Sequence, residues 1–123
     1  MISQVVSINR KKYAVGLFWQ PVGAGFVARN YARNLSRTVD KKLNLYTEYR
    51  AMVGLGARRM GHRSGMLSIA AEVMEALAEY TSFLSVFAVG KNFVLVAVRN
   101  GVILEDKLFD TEAAARKAYT KLS

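Results

Sequence analysis

His62 is the lone histidine of this sequence, and it falls within a cationic run, Arg58, Arg59 and Arg63. An imidazole can ligate a metal or relay a proton. Here no second His and no Cys accompanies it, and the nearest acid in sequence is Glu72. The flanking arginines would repel a metal ion, so the expectation is a solvated loop residue. Gly23-Ala24-Gly25 precedes a helical pattern, and helix N-termini bind anions. The stretch lacks the third Gly of a dinucleotide fingerprint and the Gly-Lys-Ser/Thr of a phosphate loop, and reads as a strand-to-helix turn. Gly54-x-Gly56-x-Arg58-Arg59 has the makings of a clamp on a nucleic-acid backbone. The aromatics that would stack bases, however, fall in apolar strands rather than between the arginines. Glu72, Glu75 and Glu79 share a helix face and read as a solvated stripe. Cysteine is absent, which removes disulfides, thiolate-bound zinc, iron–sulfur clusters and a Cys nucleophile. No catalytic set and no cofactor site emerges.

What remains is positive charge, and it is unevenly placed. The 123 residues carry a net charge of +9. Residues 1–63 hold twelve of the eighteen Lys and Arg with only Asp40 and Glu48, whereas residues 64–123 hold six against seven acids. Such asymmetry marks a docking face for an acidic partner: nucleic acid, a membrane surface or an acidic protein. Within that half, Arg29, Arg33, Arg37 and Lys41 recur every four residues opposite Val27, Tyr31, Leu35 and Val39. This is the period of an amphipathic helix, expected over Phe26–Lys42.

The other elements follow from pattern and turn chemistry. With 52% hydrophobic residues the chain can build the core of one domain. Strands are expected at Gln4–Ile8 and, after the polar turn Asn9–Lys12, at Tyr13–Gln20, the latter covered on both faces. A short strand is expected at Leu43–Tyr49, and Ala51–Ser64 reads as a mobile basic loop with room for one helical turn. Ser64 would cap a helix over Gly65–Tyr80 that buries Leu67, Ala70, Ala71, Met74, Leu77 and Ala78. Three strands, Phe83–Val89, Phe93–Arg99 and Val102–Phe109, follow through Gly90–Asn92 and Asn100-Gly101 turns. A last helix is capped by Asp110 or Thr111. The fold class is α/β, a mixed sheet with helices, in the order β-β-α-β-α-β-β-β-α. Residues 83–98 are apolar but carry Lys91 and Asn92 at their centre, so no membrane span is expected within the sequence.

Two strings carry a family likeness. Tyr13-Ala14-Val15-Gly16-Leu17-Phe18-Trp19-Gln20, after an N-terminal strand and basic turn, resembles the opening of the pilin accessory protein PilO family. These are inner-membrane components of type IVb pilus assembly, including the thin-pilus systems of conjugative plasmids. Gly65-Met66-Leu67-Ser68-Ile69-Ala70-Ala71 resembles the opening of that family's second helix. The likeness runs loosely over most of the chain and is specific in these strings, chiefly the first. It implies the cytoplasmic N-terminal domain of a longer bitopic protein, with a membrane span and periplasmic region beyond Ser123. The fold it implies is actin-like, of the RNase H-like kind, or one subdomain of it. Actin-like ATPases grip phosphate through a first hairpin bearing Asp and Gly. Here that turn is Asn9-Arg10-Lys11-Lys12, and no acid precedes Asp40, so a magnesium-linked carboxylate is missing and no ATP hydrolysis is expected. The expected role is a non-catalytic scaffold on the cytoplasmic side of the bacterial inner membrane. Its contacts with other pilus assembly proteins, the extension ATPase among them, would run through Arg29, Arg33, Arg37, Arg58, Arg59 and Arg63. Anionic inner-leaflet lipid is the second partner implied, and a small basic nucleic-acid-binding module is the alternative reading.

Overall fold

The chain begins with a tight hairpin. Strands β1 (Val5–Ile8) and β2 (Lys11–Ala14) pair antiparallel with Ile8 opposite Lys11. The turn is Asn9-Arg10 alone, both with positive φ, as two-residue hairpins prefer. Residues 3–123 are described by the computed structural model. The single strand expected over Tyr13–Gln20 is two. Gly16, at φ +74, breaks the run, and β3 (Phe18–Pro21) enters a different sheet. Val15, Leu17 and Trp19 are all buried, whereas Phe18 on the opposite face is exposed. Covering is therefore one-sided in β3, whereas Ala14 of the opposite face, at the end of β2, is buried.

Helix α1 spans Ala28–Thr38, shorter at both ends than its periodicity suggests. It packs through Ala28, Tyr31, Ala32 and Leu35, while the terminal Val27 and Val39 lie exposed. Strand β4 (Leu45–Tyr49) then turns through Arg50-Ala51 into β5 (Met52–Gly56). Every residue of β5 is buried, so the basic loop expected over Ala51–Ser64 is wrong in its first half. The glycines that suggested a loop serve close packing instead. A Cβ on Gly54 would lie 2.9 Å from the Trp19 ring, and one on Gly56 would lie 2.5 Å from His62 Nδ1. After a short 3-10 turn at Arg58–Met60, the two-residue strand β6 (Leu67–Ser68) pairs parallel with β2.

Ser68, not Ser64, caps helix α2 (Ile69–Ala76), its Oγ accepting from the Ala71 N–H at 3.2 Å. The helix buries Ile69, Ala70 and Met74, while Leu67 and Ala78, expected to bury with them, lie outside it and are exposed. Strands β7 (Phe83–Val89), β8 (Asn92–Arg99) and β9 (Val102–Phe109) form the expected meander. Helix α3 (Glu112–Leu122) follows, capped by Thr111.

The observed order is thus β-β-β-α-β-β-β-α-β-β-β-α, with three-stranded sheets β1-β2-β6, β3-β5-β4 and β7-β8-β9. It remains a mixed α/β fold, but with three more strands than the sequence pattern suggests. The main core lies between the inner face of the meander, β1–β3, β5 and α2. A smaller core fills the space between α1 and the other face of β5, and α3 covers the outer face of the meander through Ala115.

Candidate functional site

The arginine stripe of α1 lies on the shoulder of the helix that overhangs β4. Arg29, Arg33 and Arg37 line one groove of about 340 Å³, together with Leu43, Asn44, Leu45, Tyr46 and Leu55. The packing of α1 sets this shoulder. Ala32 is nearly inaccessible against Val53 and Leu55, and its small side chain brings the helix close to the sheet. Among the described residues no carboxylate lies within 4 Å of these three guanidinium groups. Tyr46 stands at the rim, 46% exposed. The fourth member of the stripe, Lys41, falls beyond the helix in an exposed turn.

The other three arginines are arranged differently. Arg58 and Arg59 are exposed just past Asn44, whose Oδ1 accepts from the Arg58 N–H at 3.2 Å. Arg59 approaches Asp40 at 3.9 Å, an exposed pair of little energetic weight. Arg58 is thus anchored through its backbone beside Asn44 of the groove wall, and Arg59 beside Asp40 past the end of α1. Arg63 turns away: its Nη1 donates to the carbonyls of His62 at 2.8 Å and Arg58 at 3.4 Å. It lines a second groove of about 300 Å³ with Ser64, Leu67, Glu72 and Glu75. At that rim the Tyr49 hydroxyl donates to Glu75, which also meets Arg50 at 3.4 Å. Burial, with the Glu75 hydrogen bond behind it, pushes the Tyr49 phenol up to about 12. The same hydrogen bond holds the Glu75 carboxyl below its usual range. The cluster keeps a proton on Tyr49 and ties β4 to α2.

His62 is not a solvated loop residue. It is 2% exposed, and its Nδ1 accepts from the Ala57 N–H at 3.1 Å. The proton therefore sits on Nε2, which faces the carbonyls of Val15 at 2.8 Å and Gln4 at 3.1 Å. The imidazole is a bracket between three backbone segments. Gly54 and Gly56, lying in a buried strand, are not placed to grip a nucleic-acid backbone. Gly23–Gly25 form an exposed turn ahead of α1.

Asp106 passed unnoticed in the sequence because an acid in an alternating strand reads as outward-facing. It points inward, 5% exposed, and accepts from the Gly16 N–H at 2.9 Å, the Leu17 N–H at 3.3 Å and Trp19 Nε1 at 2.9 Å. Burial raises its carboxyl above the usual range despite these donors. Among the described residues no group of three or more His, Cys, Asp or Glu is placed to hold a metal ion. Nor is any helix among them long and apolar enough to cross a membrane.

These features define a mixed α/β domain with an arginine-lined groove and two buried polar brackets. The same fold occurs in the crystal structure of the cytoplasmic domain of BfpC, with a TM-score of 0.71 and 22% sequence identity over 97% of this chain and 74% of that one. At that identity the likeness establishes the fold. No protein-family profile matches the chain, and no curated protein matches it in sequence.

Proposed function

We propose that this chain is a non-catalytic scaffold domain of type IVb pilus assembly, working on the cytoplasmic side of the inner membrane. The observation that carries this reading is the likeness over nearly the whole chain to the cytoplasmic domain of BfpC, a type IVb pilus assembly protein. It is in keeping with the resemblance of the Tyr13–Gln20 string to the PilO family, and the actin-like kinship which that resemblance implies is part of the proposal. Arg29, Arg33 and Arg37, extended by Arg58 and Arg59, form the face that docks an acidic surface of another assembly protein, the extension ATPase being the first to test. Arg63 belongs to the opposite groove and contributes less. Exchanging Arg29, Arg33 and Arg37 together for Glu should abolish co-purification with that partner while circular dichroism and melting stay unchanged. Undiminished capture removes the groove from this role.

Two further measurements bear on the same reading. The purified chain should show no magnesium-dependent ATP turnover, and measurable turnover overturns its non-catalytic character. The exposed Tyr46 beside three arginines favours a second reading as a nucleic-acid-binding module. Such binding would fall steeply with salt as counterions are released.

A further inference from the structure

The α1 groove has a feature besides its charge: Leu45 and Tyr46 in its wall begin an unpaired strand edge, which over Leu45–Tyr49 also borders the groove of Glu72 and Glu75. Sheet order β3-β5-β4 leaves β4 hydrogen-bonded on one side only, and antiparallel alternation directs the backbone groups of every second residue away from β5. An edge of this kind is a template for a further strand. Tyr46 and Glu48, both exposed, share the face of β4 on the α1 side of the sheet, since they pair with Leu55 and Val53 of the α1 core. A strand added beside β4 would send alternate side chains toward the overhanging arginines. Arg29, Arg33 and Arg37 repeat every ~6 Å along the helix, and same-face side chains of a strand repeat every ~6.6 Å. Glu48, the acid of this face, makes no ion pair among the described residues and lies toward the far end of the strand from Leu45.

We infer that the α1–β4 groove takes an extended acidic segment of a partner protein, which pairs with the β4 edge and sets alternate carboxylates against Arg29, Arg33 and Arg37. The inference rests on the docking role proposed for this face and specifies the shape of what docks.

The test uses the whole chain with a short labelled peptide of alternating Glu and Thr. A peptide of alternating N-methyl-Glu and Pro serves as control, with equal charge but no backbone N–H to offer the strand edge in either register. The Glu-Thr peptide should bind, should lose affinity on Arg33→Glu, and should slow hydrogen exchange of backbone amides within Leu45–Tyr49. The control peptide should bind at least about tenfold more weakly, the equivalent of one or two lost hydrogen bonds. Equal binding of the two peptides, or unchanged exchange in β4, overturns strand pairing and leaves the arginine docking face standing. Failure of both peptides, with partner capture still sensitive to the triple Glu exchange, also overturns it. Tighter binding of single-stranded DNA than of the Glu-Thr peptide at moderate salt would overturn the inference and its parent reading together.

Discussion

His62 and Asp106 each answer buried backbone groups, one of which, the Gln4 carbonyl, also accepts from the Val15 N–H. His62 serves the Ala57 N–H and the carbonyls of Val15 and Gln4. Exchange to Ala takes the ring's partner from the Ala57 N–H and the Val15 carbonyl and empties the ring's volume, so His62→Ala should lower unfolding stability by about 3 kcal/mol in urea titration. A loss near zero would mean that water replaces the ring freely. Asp106 has a titration signature. Its native pKa is raised above the unfolded value, so the folded state holds the proton over the interval between the two. Its stabilising contribution is complete below about pH 4 and is lost as pH rises through the raised native value. Measured by denaturation across that interval, wild type should lose stability with rising pH relative to Asp106→Asn. A difference that is flat or grows with pH would show that the three N–H donors outweigh burial.

Strand β5 makes the same point at the level of the element. Its glycines exist because Trp19 and His62 cross its surface. Gly54→Ala should therefore cost about 2 kcal/mol through overpacking, read as a lowered melting temperature, and Trp19 fluorescence should shift with it. The meander β7–β9 was legible in the sequence because its signals are local, above all Asn100-Gly101 with both residues at positive φ. The α1 arginines were legible for the same reason, a helical period within one segment. Strand β5 was not, since Gly54 and Gly56 are explained only by side chains from β3 and the segment after the 3-10 turn. The break at Gly16 was hidden likewise: its left-handed geometry is met by Asp106, ninety positions away in the chain. Of the groove, the arginine wall could be read from the stripe, but its Leu43–Tyr46 wall depends on how α1 lies across β4. Arg63 shows the converse, a residue grouped by sequence with Arg58 and Arg59 that the fold turns onto its own backbone.

The molecule as a whole joins one locally wired part to another that depends on distant contacts. Strands β7, β8 and β9 and helix α3 come from one unbroken stretch, Phe83–Leu122, and touch chiefly their chain neighbours. The first sheet needs Leu67 to find Tyr13 in parallel pairing, a long loop closure. Native-state hydrogen exchange should therefore be slowest at Val94–Val98 in the centre of the meander, and fastest among paired strands at Leu67–Ser68. Uniform protection across both would refute this division. The Asp106 bracket then has a kinetic consequence. The donors to this carboxylate come from Gly16, Leu17 and Trp19, so the β7–β9 meander alone leaves it hydrated until the bend at Gly16–Leu17 closes onto it. The step that takes water from Asp106 is the one that locks the basic half of the chain to the neutral half.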